Sequence, residues 1–348
     1  MTTLCNPGTS SNPGTSQPSV KTINDLPEEL LINIFLELDI LEISTNVMNV
    51  CLHWRRVAMS ESVWRKLKFV CTNTMESFRI GDYLKRMPLL QRLQVQWRTD
   101  VDGIMSTVCS HCNHILEVEL VCCGYPDKDL VEKLVQKYPR MTVLSMGKCW
   151  QTPAKCYYDV IRFKSLRSLD ISNSPYLNNA LLRRISLNCP QLEELNIDYV
   201  KDISENELIL FLSTRRAFLK SLTVFGDMVT DRLLFELSKC EKLERLHIST
   251  CCEITIAGVI SLMGLASLRY LSLRRATQLE QDKLAQLFYE KKIFQQLKRL
   301  YISSKQKIEA RRFGRWFNNE EQDLRRYEGR RCACVLCMHG FRIRPSNS

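Results

Sequence analysis

Two clusters in this chain carry residue types able to hold a metal ion. Cys109-x-His111-Cys112-x-His114 places four donors within six residues. Cys332-x-Cys334-x-x-Cys337-x-His339 places four within eight. Thiolates and imidazoles are the usual ligands of zinc, but both spacings are tighter than those of most tetrahedral sites. The first cluster has a competing structural explanation, given below. The second has none from the surrounding pattern and stays the only metal candidate, against a flexible basic tail or a modified cysteine pair. No metal and no cofactor is assigned. A phosphate loop, a catalytic triad motif and a zinc-protease motif are all missing from the sequence. The expectation is therefore a chain that binds rather than catalyses.

The elements that position these residues repeat. The pattern L-x-x-L-x-L, with Ile, Val or Met allowed, occurs nine times, starting at Leu90, Ile115, Met141, Leu166, Leu192, Leu219, Leu243, Leu268 and Leu297. Successive starts lie 25, 26, 25, 26, 27, 24, 25 and 29 residues apart. A degenerate copy, Trp64/Leu67/Phe69, precedes the first by 26. This is the period of leucine-rich repeats, in which one strand per repeat lines a concave face and a helix returns outside. One repeat cannot bury its leucines, whereas stacked neighbours can. Helical stretches fall between strands, as in Leu181-Leu182-x-x-Ile185 and Leu233-Leu234-x-x-Leu237. Cys112, Cys189 and Cys240 each lie three residues before a repeat's first apolar position, and Cys123, Cys149 and Cys251 each lie three after its last. The first metal cluster is thereby read as repeat structure. Pro88, Pro139 and Pro190 share one offset, where a helix must stop.

Ahead of the repeats, residues 23–69 read as a short helical unit. Asp25 is expected to cap a helix, with Pro27 in its first turn and Glu28 and Glu29 at the positive end of the dipole. Leu30, Leu31, Ile34, Phe35 and Leu38 make an apolar stripe of helical period. Val47, Val50, Cys51 and Trp54 continue it, followed by Val63, Trp64 and Leu67. So small a unit either packs on its neighbour as a plain cap or leaves apolar surface for a partner.

Leu26-Pro27-Glu28-Glu29-Leu30-Leu31, Ile34-Phe35, Leu38, Val50-Cys51, Trp54-Arg55 and Ser62-Val63-Trp64 closely resemble the F-box. Cys251-Cys252-Glu253-Ile254-Thr255-x-x-Gly258 resembles the cysteine-containing repeat of F-box/leucine-rich-repeat proteins. The resemblance implies docking on a Skp-family adaptor, and through it on cullin and RING subunits. The implied contact residues are Leu26, Pro27, Leu30, Leu31, Ile34, Phe35 and Leu38, with Val50, Cys51 and Trp54. One departure is visible. Ser44-Thr45-Asn46 stands where the family carries a leucine pair, which leaves Ile40, Leu41 and Ile43 to take over that contact by a shift in register.

The expected fold class is α/β, a helical F-box followed by a leucine-rich-repeat solenoid. The expected boundaries are a Gly/Pro/Ser/Thr tail at 1–22, the F-box at 23–69, repeats at 64–304 and a basic cap and tail at 305–348. Asn6-Pro7-Gly8-Thr9-Ser10 recurs as Asn12-Pro13-Gly14-Thr15-Ser16, and such composition predicts disorder. The last F-box helix is expected to cap the open end of the array, with Phe313, Trp316 and Phe317 capping the other.

Side chains alternate across a strand, so residues between the core leucines should line the concave face. They include Glu117, Glu119, Asp170, Glu194 and Asp198 in the earlier repeats. Arg245, His247, Tyr270, Arg274, Arg299 and Tyr301 follow in the later ones, with Phe225 between. The expectation is a groove acidic toward the F-box and basic and aromatic toward the C-terminus, able to orient a protein substrate. The competing reading is a solvated sheet surface.

The formal charge is +11, and residues 305–348 contribute +6 of it from eleven basic and five acidic side chains. Such a tail attracts nucleic acid, anionic membrane or an acidic partner, or simply keeps the chain soluble. The positive charge is not arranged as a recognised nucleic-acid-binding fold, so that role is not expected. With no apolar run of membrane-spanning length and no export signal at the N-terminus, a cytoplasmic or nuclear protein with reduced thiols is expected. Two functions remain. One is a non-catalytic substrate receptor of a Skp–cullin–F-box ubiquitin ligase. The other is an interaction scaffold with an F-box-like cap.

Overall fold

The computed structural model describes residues 22–279 apart from 125 and 150, together with 283 and 296–302. The N-terminal tail through residue 21, the aromatic residues Phe313, Trp316 and Phe317, and the Cys332–His339 cluster lie outside the described residues. The chain divides into two compact units between Val63 and Trp64.

The first unit contains α1 (Glu28–Leu36), α2 (Ile40–Thr45) and α3 (Leu52–Ala58), with single 3-10 turns at Ile23–Asp25 and Val47–Asn49. A fourth short helix, α4 (Glu61–Trp64), crosses the division. The expected cap at Asp25 is corrected by the structure. The Asp25 carboxylate accepts the Thr22 N–H at 2.6 Å and closes the first 3-10 turn, and α1 begins later with Pro27 at its N-cap. Asp39 caps α2 instead, accepting the N–H groups of Leu41 and Glu42 at 2.7 and 2.9 Å. Glu42 returns the favour to the Asp39 N–H at 3.1 Å, a complete capping box. Phe35 of α1 packs on Trp54 of α3 with ring centroids 5.2 Å apart. The Trp54 indole donates to Asn24 Oδ1 at 2.7 Å and ties down the entering chain.

The second unit is a ten-stranded parallel sheet in strict chain order. Its strands are β1 (Phe69–Cys71), β2 (Arg92–Gln96), β3 (Glu117–Val121), β4 (Val143–Ser145) and β5 (Ser168–Asp170), then β6 (Glu194–Ile197), β7 (Ser221–Val224), β8 (Arg245–Ile248), β9 (Tyr270–Leu273) and β10 (Arg299–Ile302). Helices return between strands: α5 (Ser77–Lys85), α6 (Val101–His111), α7 (Leu130–Lys137), α8 (Ala154–Asp159), α9 (Asn179–Asn188), α10 (Glu205–Arg215), α11 (Asp231–Leu237) and α12 (Ile256–Ser261). A leucine-rich-repeat solenoid is thus present. Among the described residues no helix is long and apolar enough to cross a membrane.

The register shows why the period is so constant. Phe69, Leu93, Val118, Leu144, Leu169, Leu195, Leu222, Leu246, Leu271 and Leu300 pair one to the next and form a single buried column. It also corrects the first, degenerate copy. Phe69 aligns with Leu93 and Cys71 with Val95, so the repeat runs Phe69/Cys71 rather than Trp64/Leu67/Phe69. A shift of two residues keeps the same side chains facing in, which is why the pattern alone misplaced it.

Two further ladders tie repeat to repeat. Cysteine thiols donate to backbone carbonyls of the preceding repeat: Cys123 to Val95 O at 3.3 Å, Cys149 to Leu120 O at 3.4 Å and Cys156 to Asp127 O at 3.3 Å. The second ladder joins the first helical residue of one repeat to the N-cap of the next. Asn179 accepts from the Ser204 N–H at 2.9 Å, Glu205 from the Thr230 N–H at 3.0 Å and Asp231 from the Thr255 N–H at 2.8 Å. Gly258 makes room for the last of these, since a Cβ there would lie 2.1 Å from Asp231 Oδ1.

Candidate functional site

The two units present two surfaces, each built from its own helices or strands. In the first unit the apolar stripe divides. Leu31 and Phe35 are fully buried and belong to the core, and Ile40 and Ile43 join them there. Leu30 and Ile34, one turn apart on α1, are 48% and 40% exposed. Val50 and Leu52, at the start of α3, are 59% and 81% exposed. Pro27 is exposed, and Leu26, Leu38, Cys51 and Trp54 are half-buried. Four open aliphatic side chains in so small a unit form a candidate partner surface and lie outside its core. The candidate contact set therefore loses Leu31 and Phe35 as direct contacts and gains Leu52. Periodicity alone does not separate the two sides of a stripe wide enough to cover both.

The altered middle helix also becomes legible. The Ser44 hydroxyl donates to Leu41 O at 3.1 Å and that of Thr45 to the same oxygen at 2.7 Å. Asn46 then ends α2. The polar triplet closes the helix on itself, and of Ile40, Leu41 and Ile43 only Leu41 stays half-exposed.

In the second unit the open face of the sheet carries the residues between the core leucines, stacked in columns by the register. One column runs Arg92, Glu117, Val143, Ser168, Glu194, Ser221, Arg245, Tyr270 and Arg299. The next runs Val70, Gln94, Glu119, Ser145, Asp170, Asn196, Thr223, His247, Ser272 and Tyr301. Arg299 and Tyr301 hold these positions on β10, while their side chains lie outside the described residues. Asp198, Phe225 and Arg274 follow their strands at the carboxyl ends.

Most of the acidic residues are already engaged. Glu117 accepts Arg92 Nε at 2.7 Å, and Glu119 accepts Lys68 Nζ at 2.7 Å and Gln94 Nε2 at 2.8 Å. Glu194 accepts Arg245 Nη2 at 2.5 Å, a reach from β8 to β6 over the small Ser221. Asp198 accepts the Ser249 hydroxyl. Asp170 has only neutral partners, including the Ser172 N–H at 3.0 Å, and burial raises its pKa above the usual carboxylate range. The expected two-ended groove is thereby modified. Lys68, one residue before β1, and Arg92 on β2 pair with Glu119 and Glu117, so the acidic charge expected toward the F-box is offset there. The sequence reading began its concave residues at the second repeat and so passed over both cations.

Sequence reasoning also missed the rim. Trp97, Cys122, Lys148, Asn173, Tyr199 and Arg275 all adopt φ between 52° and 60° and all stand two residues past a repeat's last core position. This left-handed turn, uncommon for residues other than Gly, recurs at the carboxyl ends of the strands; Tyr199 is exposed there, whereas Cys122 is buried. Gly226 takes the same position in its repeat, where a Cβ would lie 1.3 Å from Thr250 O. Tyr199 and Phe225 stack there with centroids 5.6 Å apart. The other early candidate, Cys109-x-His111-Cys112-x-His114, falls apart as a cluster. Cys112 is fully buried with its thiol toward Leu84 O, and burial pushes it up to about 12, whereas His111 and His114 are exposed.

A short helical module followed by a leucine-rich-repeat solenoid defines a class of protein, and comparison with known proteins shows what the chain is similar to. Residues 23–70 match the F-box-like family model. The chain is similar to three proteins of Arabidopsis thaliana. It is 24% identical to F-box/LRR-repeat protein 23 over 67% of this chain and 49% of that protein. It is 22% identical to F-box protein SKIP19 over 67% and 71%, and 24% identical to F-box/LRR-repeat protein 9 over 68% and 90%. The match thus spans about half the length of the first relative. In fold, the chain resembles yeast Rad7 in its crystal structure with Elc1, with TM-score 0.52, 20% identity and coverage of 75% of this chain and 65% of that one. These findings make the chain similar to F-box/leucine-rich-repeat proteins and support that family for it.

Proposed function

We propose that this chain is a substrate-recognition adaptor of a Skp–cullin–F-box ubiquitin ligase. The observation that carries the reading is the pairing of an F-box-like domain, with Leu30, Ile34, Val50 and Leu52 open, with a second unit whose sheet presents a polar face. The apolar side chains of α1 and α3 dock a Skp-family adaptor, which brings cullin and RING subunits. The sheet face holds a protein substrate. The chain supplies no chemistry. It raises the effective concentration of a substrate lysine beside a charged ubiquitin-conjugating enzyme. No membrane association and no nucleic-acid role belong to this function, and it is exercised in the cytoplasm or nucleus. The expected domain limits, 23–69 for the F-box and 64–304 for the repeats, are retained as the working division.

Reconstitution tests the reading. The full chain is incubated with purified Skp adaptor, cullin–RING core, activating and conjugating enzymes, ubiquitin and ATP. The expected result is ubiquitin transfer to lysines of the chain itself, lost when Leu30→Glu and Ile34→Glu are combined. Adaptor binding without any transfer favours the scaffold reading, to which the polar closure of α2 at Ser44, Thr45 and Asn46 lends support.

A further inference from the structure

In the helical layer of the second unit, successive helices each hold one exposed side chain at a shared level. Leu210 on α10, Phe235 on α11 and Ile260 on α12 are 47%, 55% and 40% exposed. They follow one another at intervals of 25 residues. The buried residues Leu212, Leu237 and Leu262 keep the same interval, so the three outward side chains stand level with one another. Arg184 on α9 holds the same place 26 residues before Leu210. Its guanidinium lies 5.9 Å from the ring of Tyr158, exposed on α8 another 26 residues earlier. Single exposed apolar residues are ordinary on any surface, whereas a line of them across neighbouring helices marks a contact surface.

Charge and spacing indicate what covers this row. The carboxylates of these helices are turned toward neighbours and lie beneath the cations they hold. The Glu207 side chain is 7% exposed and that of its partner Arg183 59%. Glu205 pairs in the same way with the more exposed Arg232, and Asp231 is held by Thr255. Glu236 takes both Arg216 and Lys239, and Lys239 Nζ also lies 4.5 Å from the Phe235 ring centroid. Among the described residues Arg184 has no carboxylate partner. The outermost charges beside the row are therefore positive. A second copy of this chain is disfavoured, because a two-fold contact through Phe235 would set Lys239 against its own counterpart. Residues 305–348, at +6, carry the wrong sign as well. The complement is acidic. Helices packed side by side lie about 8–10 Å apart. An α-helix repeats one face every seven residues, about 10.5 Å. A helix laid across α10, α11 and α12 thus offers one apolar side chain to each.

We propose that the Leu210–Phe235–Ile260 row, with Arg184 at one end, docks an amphipathic helix of a partner protein that repeats its apolar side chains every seven residues and carries carboxylates on its flanks. The proposal goes beyond the receptor reading and does not rest on it, since the row lies in the helical layer and not on the open face of the sheet. The partner's apolar side chains pack on Leu210, Phe235 and Ile260. Its carboxylates meet Arg184 and Lys239. Phe235, central in the row and backed by Lys239, is the aromatic anchor.

The test uses the full chain and a fluorescein-labelled model helix about three heptads long, read by fluorescence anisotropy. The helix carries leucine at the first and fourth positions of each heptad and glutamate on both flanks. Its companions are the same helix with lysine for glutamate and a scrambled peptide of the first composition. The glutamate helix should bind, and both companions should bind about tenfold more weakly or not at all. Phe235→Ala should weaken binding of the glutamate helix about tenfold or more. Arg184→Glu should weaken it about threefold or more. Lys85→Glu, on α5 and paired there with Asp82, should change nothing. Each variant is first matched to the parent chain by thermal unfolding. Equal binding of the glutamate and lysine helices, or unchanged affinity in the Phe235 or the Arg184 variant, would overturn the proposal. Self-association of the parent in sedimentation that Phe235→Ala abolishes would overturn it in favour of a second copy. Phosphatidylserine vesicles bound more tightly than the helix through the same residues would overturn it in favour of a membrane surface. None of these outcomes involves Leu30 or Ile34, so failure here leaves the receptor reading standing.

Discussion

At the scale of single residues, position in the repeat explains more than residue type. His247 stands in a largely polar column, and burial and two cations hold its pKa down to about 4. Its folded pKa lies below that of the unfolded chain, so the contribution it makes is present above about pH 6.5 and is lost as pH falls toward 4. Asp170 and Asp198, whose pKa values burial raises, act in the opposite sense. Comparing the parent with His247→Gln isolates the histidine. The parent should lose on the order of 1–3 kcal/mol more than the variant between pH 7 and 4. Urea unfolding across that range is the measurement, and parallel curves would refute the assignment. Gly226 offers a harsher substitution. Gly226→Ala places a Cβ against the Thr250 carbonyl, backbone that cannot swing aside, and should cost more than about 3 kcal/mol. Sequence could not have shown this, because six other repeats carry side-chain-bearing residues at the same offset, in a left-handed turn that Gly226, at the start of a 3-10 turn, does not adopt.

At the scale of elements, the strands were legible and the ties between them were not. A leucine column with near-constant spacing can be read directly, since each strand needs the same faces buried. The register of β1 could not, because a slip of two residues leaves the in-out pattern unchanged. The ladder from the first helical residue to the next N-cap was invisible for another reason. Asn179, Glu205 and Asp231 are three different residue types doing one task, so no motif repeats. The ladder predicts an inversion of the usual helix rule. Gly→Ala within a helix ordinarily stabilises by up to about 1 kcal/mol. Gly258→Ala in α12 should instead destabilise by about 1–3 kcal/mol, because its methyl group meets the Asp231 carboxylate that holds Thr255. Pairing it with Asp231→Ala should recover part of the loss, seen as non-additivity in a double-mutant cycle. In the first unit the helices α1 and α3 were expected, but which stripe residues face inward follows only from their packing. Phe35→Ala should therefore destabilise that unit by about 3–5 kcal/mol, whereas Leu30→Ala should fall within about 0.5 kcal/mol of the parent in thermal or chemical unfolding.

At the scale of the whole molecule, the division of labour was the clearest message of the sequence. The F-box resemblance and the repeat period lie in separate stretches, and the structure divides the chain between Val63 and Trp64. The candidate surfaces were only half legible. Most of the concave candidates lie on strands as alternation placed them, whereas Asp198, Phe225 and Arg274 fall just past the strand ends. Their pairing was not foreseen, because Lys68 to Glu119 and Arg245 to Glu194 each skip a strand and join residues 51 positions apart. Those pairs convert an expected acidic half into a surface whose charge is largely spent. A receptor needs both ends of this arrangement, and the F-box end is the one on which the whole account depends. The most direct measurement is a titration of purified Skp adaptor into the full chain by calorimetry, beside a folded variant carrying Leu30→Glu and Ile34→Glu. The account predicts a one-to-one complex with the parent and a loss of about a hundredfold or more in affinity in the variant. A parent chain that folds normally and takes up no adaptor, or a variant that binds it equally well, would contradict the account.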